Sequence, residues 1–151
     1  MTPVTVTSPL TGRALPLTEV PDPVFAQAMV GPGTAVDPER VPGAAVAPVD
    51  GVVVSLHPHA FVVMDSSGHG VLTHLGIDTV QLDGEGFELM VAKGDTVSRG
   101  QEVVRWDPAA VEAAGKSPIS PVIALDAVDG DLSAVVDSGP VRAGDALFDW
   151  S

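Results

Sequence analysis

Four histidines, His57, His59, His69 and His74, are the side chains of this sequence best suited to chemistry near neutral pH. An unperturbed imidazole titrates near pH ~6.5, so at neutral pH most of it is neutral and a ring nitrogen is free to act as a nucleophile. There is no cysteine, which removes thiol nucleophiles, thiolate metal sites and disulfides together. Between two apolar runs lies Asp65-Ser66-Ser67-Gly68-His69-Gly70, a composition that marks a hairpin turn. If Ser66 faces Ser67 across that turn, then counting outward brings His59 directly opposite His74, and directly opposed residues share a face with Cβ atoms ~5 Å apart. His57 has the parity of His59 and points the same way if its strand extends that far, whereas His69 points to the other face. Centring the turn one residue later makes His59 and His74 diagonal neighbours, still within reach. An odd loop or a bulge breaks the count.

Two convergent imidazoles suit two kinds of chemistry. One ring can accept a phosphoryl group while the other hydrogen-bonds the phosphoryl oxygens, with an apolar rim keeping water from the phosphohistidine. Alternatively, two imidazoles are half of a tetrahedral zinc site, although no further ligand is obviously placed to complete it.

The elements that must position these residues are short. Sixteen glycines and fourteen prolines are spread evenly between Val-rich runs, the pattern of many strands joined by tight turns in an all-β sandwich or barrel. The expected strands are Val4–Thr7, Ala44–Ala47, Gly51–Leu56, Ala60–Met64, Val71–Leu75, Phe87–Val91, Glu102–Trp106, Val122–Leu125 and Ala146–Phe148. Two short helices are signalled by Asp-Pro. Asp22-Pro23 opens one expected to end before Gly31, and Asp107-Pro108 opens another that ends at Gly115. The segment from Gly94 to Val103 resembles that from Gly139 to Leu147, each reading as turn, Val, turn, strand. This is either a structural repeat or the common look of hairpins.

Length and charge narrow the class. One domain over residues 1–151 is expected. A net charge of −13 argues against nucleic acid or an anionic membrane as partner and suits a basic protein face, or serves solubility alone. Met1 to Pro9 lacks the pattern of a signal peptide, and no apolar stretch approaches the ~18 residues that span a bilayer. A soluble cytoplasmic protein, not itself membrane-inserted, is expected.

Six segments carry a family resemblance: Ser8-Pro-Leu-Thr-Gly12, Val20-Pro-Asp-Pro-Val-Phe-Ala26, Ala47-Pro-Val-Asp-Gly51, His59-Ala-Phe61, His74-Leu-Gly-Ile-Asp-Thr-Val80 and Gly84-Glu-Gly-Phe87. In order and spacing they resemble the glucose-type enzyme IIA components of the sugar phosphotransferase system, from about Ser8 to Trp150. The resemblance implies a flattened antiparallel β-sandwich and a phosphotransferase component working through a phosphohistidine. It implies that His74 accepts phosphate from the phosphocarrier HPr and passes it to a cysteine of a sugar-specific IIB domain, that His59 supports the phosphoryl group, and that no cofactor is needed beyond the covalent phosphate. By family position Val24, Phe25, Met29 and Val30 belong to an apolar rim, or else to the buried face of a helix. Asp22 and Asp78 are placed to meet basic groups of HPr, though Asp22 also reads as an N-cap and Asp78 as a turn residue.

Two positions depart from the family pattern. His57 stands where a Thr is usual, leaving that role in doubt or passing it to His57. Thr73 precedes the phosphorylated histidine where an aliphatic residue is usual. Three other readings compete. Unphosphorylated members of the family act as regulatory modules on transporters or metabolic enzymes, through the same surface. His57-Pro58-His59 with His74-x-x-x-Asp78 has the spacing of zinc endopeptidases of related β architecture, and His59 and His74 could bind zinc, but the surrounding residues match enzyme IIA far better. The Gly-Asp-x-Val turns are reminiscent of lipoyl domains, but neither Lys93 nor Lys116 sits where an acceptor lysine would. The sequence stops at Ser151 without IIB or IIC segments, so the membrane partner is expected on a separate chain unless this is a fragment of a longer one. Glucose, N-acetylglucosamine, sucrose and β-glucosides all remain open as the sugar.

Overall fold

Residues with φ above zero punctuate this chain, and most of them are the glycines between the Val-rich runs. In a computed structural model that describes residues 3–151, these breaks divide the chain into fourteen described strands. They are β1 (Val4–Thr7), β2 (Gly12–Leu15), β3 (Gly33–Pro38), β4 (Gly43–Val46), β5 (Gly51–His57), β6 (Ala60–Met64), β7 (Gly70–His74), β8 (Phe87–Leu89), β9 (Thr96–Val97), β10 (Glu102–Trp106), β11 (Ser120–Ala124), β12 (Leu132–Ser133), β13 (Pro140–Val141) and β14 (Ala146–Trp150). Met1 and Thr2, the first residues of the span expected as one domain, lie outside the described residues. An eight-stranded antiparallel sheet runs β13-β2-β3-β11-β7-β6-β5-β9, and two three-stranded sheets, β1-β14-β12 and β4-β10-β8, cover one of its faces. The main core lies between them. Val36, Val53, Phe61, Val63, Val71 and Val122 from the large sheet meet Val6, Val104, Trp106, Leu147 and Phe148 from the small ones. The expected all-β antiparallel sandwich is therefore the fold.

The pairing pattern repeats, β13-β2-β3-β11 and β1-β14-β12 matching β9-β5-β6-β7 and β4-β10-β8, and the repeat suspected at Gly94 and Gly139 is one part of it. The turn before β10 and the turn before β14 are built alike: Ser98 N–H donates to Gln101 Oε1, as Arg142 N–H does to Asp145 Oδ2. Each turn docks on an equivalent proline segment. Gly100 N–H donates to Ala47 O and Gly144 N–H to Ser8 O, both at 2.9 Å. Arg99 N–H donates to Asp50, Ala143 N–H to Thr11. Thus Ser8-Pro-Leu-Thr-Gly12 and Ala47-Pro-Val-Asp-Gly51 are structural counterparts. At both glycines a Cβ would lie about 2 Å from a neighbouring strand's carbonyl oxygen, Asp37 for Gly12 and Met64 for Gly51. A pseudo-two-fold relates β4 through β10 to a second half made of β1–β3 and β11–β14.

The other face of the large sheet is covered in part by the excursion between β2 and β3, which holds α1 (Pro23–Ala26). Leu17, Val20 and Phe25 from this excursion pack with Ala35, Ile77 and Ile123 into a second, smaller core. Its pseudo-symmetric counterpart is the tight turn between β5 and β6, which carries His59. The helix expected to end before Gly31 stops at Ala26. Met29 N–H donates to Val24 O and Ala28 N–H to Phe25 O, a Schellman ending with Ala28 at φ 53° in the left-handed position. The usual glycine signal is absent from that stop, and Gly31 marks a later turn. The second helix, α2 (Pro108–Ala113), ends as expected with Gly115 at φ 84°.

Candidate functional site

His74 is the last residue of β7 and lies opposite Ala60 of β6. The expected register, with His59 opposite His74, is one residue off. Ser66-Ser67-Gly68 forms a three-residue loop: Asp65 Oδ1 accepts from Ser67 N–H and His69 N–H, and Gly68 takes φ 90°. Such a loop closes with one residue more than the even turn assumed from sequence, so Met64 pairs with Gly70 and His59 comes level with Leu75, whose N–H donates to His59 O at 2.7 Å. By strict alternation the two histidines would then face apart. They meet because His59 has left the ladder: it sits in the Pro58-His59 turn between β5 and β6, free of the strand's parity. The imidazoles lie edge-on, with centroids 5.3 Å apart.

His57 closes the same turn opposite Ala60, exposed, with its ring centroid 5.8 Å from that of His59. His69 faces away, as expected, stacked on Trp150 with ring centroids 4.1 Å apart. Thr73, beside His74 in β7, points into the main core, where it is fully buried and its hydroxyl has no hydrogen-bond partner among protein atoms.

The His74-Leu-Gly-Ile-Asp-Thr-Val80 block can be read bond by bond. Leu75 is fully buried in the main core, and Ile77 in the second. Between them Gly76 turns the chain at φ 80°, where a Cβ would lie 2.7 Å from Thr79 Cγ2 and 2.8 Å from Ser117 O. Asp78 also takes a left-handed conformation, and Thr79 Oγ1 donates back to Leu75 O at 2.7 Å. The turn aims the Gly76 carbonyl at the His74 ring, which donates from Nδ1 at 2.5 Å. That bond assigns the proton of the neutral ring to Nδ1 and leaves the lone pair on Nε2. Gly76 is the contact of the His74 ring that reading side chains alone misses; its sequence signal was a glycine two residues after the histidine.

Phe25 packs on the ring of His74 with centroids 5.1 Å apart and is itself buried in the second core, so it is both a helix-face residue and a wall of the site. Val30 packs against that core, while Val24 and Met29 stand exposed, Met29 the most open of the four at 68%. Asp22 caps α1 by accepting from Val24 N–H at 2.9 Å. Burial holds the pKa of His74 below the ordinary histidine value, against the opposing pull of Gly76 O and of the negative charges of Asp22 and Asp78. His59 is lowered too, first by burial, then by the neighbouring His74 and His57. Both rings are therefore neutral at neutral pH, the state a nucleophile and a hydrogen-bonding partner require. Among the described residues no three His, Cys, Asp or Glu side chains gather to hold a metal ion.

Comparison with known proteins decides the lineage. Residues 4–129 match the model of the phosphoenolpyruvate-dependent sugar phosphotransferase system EIIA 1 family. The chain belongs to that family. It is 45% identical over 122 residues, 80% of this chain and 73% of the relative, to the glucose-specific EIIA component of Oceanobacillus iheyensis. It is 38% identical over 144 residues, 94% of this chain and 86% of the relative, to that of Staphylococcus aureus. The glucose permease IIA of Mycoplasma capricolum superposes with a TM-score of 0.89 at 35% identity, covering 99% of this chain and 96% of that one. The zinc-hydrolase and lipoyl-domain readings give way to this membership. The protein is an EIIA phosphotransferase component, and no helix among its described residues is long and apolar enough to cross a membrane.

Proposed function

We propose that this EIIA component carries the phosphoryl group on Nε2 of His74, taking it from phospho-HPr and giving it to a cysteine of a sugar-specific EIIB domain. The observation that carries the proposal is the Nδ1–H bond to Gly76 O, which fixes the ring and leaves Nε2 as the lone-pair nitrogen. The Nε2 lone pair attacks phosphorus as the bond to the donor's imidazole breaks, returning that electron pair to the donor. The Gly76 carbonyl supports the positive charge that the His74 ring then carries. His59 donates to a phosphoryl oxygen, and Phe25 shields one flank from water. In the second step a thiolate sulfur attacks phosphorus and the P–Nε2 bond breaks, restoring the neutral ring. The group is carried covalently, and neither metal nor cofactor takes part. Val24, Met29 and Val30 form the apolar rim against which both partners pack, and Asp22 and Asp78 answer their basic groups. The reaction belongs in the cytoplasm, where phosphoenolpyruvate supplies the phosphate. The sugar is chosen by EIIB, and the names of the relatives favour glucose.

Incubation with phosphoenolpyruvate, enzyme I and HPr tests this by intact mass and 31P NMR. The expected result is one acid-labile phosphoryl group on a ring nitrogen of the Nε2 type, absent from His74→Ala. Uptake by His74→Ala, or an Nδ1-linked phosphate, would overturn the assignment.

A further inference from the structure

His57, His59 and His74 form a row of imidazoles from the exposed rim of the site to its half-buried floor, with successive centroids 5.8 and 5.3 Å apart. The two inner rings have work in the transfer reaction. The outer one touches neither the nucleophile nor any hydrogen-bond partner that would explain its place as structural, since it is exposed at the end of β5. The arrival of a dianionic phosphoryl group beside His59 reverses the electrostatics there: a ring held neutral in the resting protein now gains from a second proton. Phe25 lies against His74 from α1, and His57 stands exposed beside His59.

Resting on the transfer reaction proposed above, we propose that His57 is a positioning residue that acts through His59, delivering the proton that His59 takes up when the phosphoryl group reaches His74 and removing it when the group departs. An N–H bond breaks on the imidazolium of His57 and one forms on His59, directly or through one bridging water; His57 then recovers a proton from solvent. Departure of the phosphoryl group runs the same steps backward. The charged and titratable neighbours are few. His59 lies on the inner side, with His74 behind it, where the charges of Asp22 and Asp78 are also felt. Pro58, between His57 and His59, meets the loop at Gly84, which Asp83 and Glu85 flank.

The test is the rate of phosphoryl uptake from phospho-HPr by rapid quench, between about pH 6 and about pH 8.5, for the natural protein, His57→Gln and His57→Ala. His57 is exposed, and circular dichroism checks that both variants fold. The expected result is a loss of about tenfold in both variants above neutral pH, a shifted pH profile, and recovery when free imidazole is added to the buffer. Unchanged rates and profiles, or a loss that imidazole leaves untouched, would overturn the role of His57. Failure of the natural protein to take up phosphate at all would instead overturn the transfer reaction on which the role rests, so the two failures separate.

Discussion

At the scale of single residues, the proposed site holds two imidazoles neutral inside a protein of strongly negative charge. Because His59 and His74 titrate below the ordinary histidine value, the unfolded chain binds more protons than the folded one in the window below pH ~6.5. Folding stability is therefore complete above that pH and is lost progressively as pH falls through the lowered folded values. Denaturant midpoints measured across this range should fall with acid, and His59→Gln or His74→Gln should flatten the slope. A slope unchanged in both variants would assign the acid sensitivity elsewhere. The residue types were legible from the start: histidine identity, an acidic chain without cysteine, and the His74–Val80 block all pointed to the same pair. The reason they meet was not. The strand count assumed an even turn at Ser66-Ser67, whereas Asp65 builds an odd loop, and His59 reaches its partner from a turn rather than along a ladder. A turn's parity depends on which side-chain oxygen caps which N–H, and composition alone leaves that open.

At the scale of elements, the decisive one is the short turn after β7, because it sets a backbone carbonyl against the His74 ring. Gly76→Ala adds a Cβ against Thr79 and Ser117 at a positive φ, and should cost about 1–3 kcal/mol of stability. It should also slow phosphoryl uptake more than a comparable destabilisation elsewhere, because the His74 ring loses its fixed partner. Thermal melts and uptake rates measured on the same samples check both parts, and a variant that is destabilised yet fully active would show that the Gly76 carbonyl is dispensable. Strands Val4–Thr7, Ala60–Met64 and Glu102–Trp106 were readable to the residue because apolar runs and turn residues agree there. β2 and β3 escaped notice. Gly-Arg-Ala-Leu and Gly-Thr-Ala-Val-Asp-Pro carry few β-formers, and what holds them is pairing with each other and with β11, a tertiary fact. The early end of α1 escaped as well, since an alanine fills the position where glycine is the usual sign.

At the scale of the whole molecule, charge and symmetry dominate. A net charge of −13 should steer a basic partner to the site. The association rate with HPr should therefore drop about tenfold or more between low and high salt while the dissociation rate changes little, as stopped-flow mixing would show. Salt-independent association would mean that the acidity serves solubility alone. The pseudo-two-fold has a consequence for how the protein is made. The half from β4 to β10 is one continuous stretch and leaves the ribosome whole. The other half is split around it, so β1 must wait for β14, and β3 for β11, until the intervening half has been made. The nascent chain thus carries β1, and the edge of β3 that β11 will cover, unpaired, while the turn that carries His59 already has β7 to dock against. The histidine pair can be assembled before its Phe25 wall is anchored, because Ile123, which packs with Phe25 in the second core, is among the residues made late.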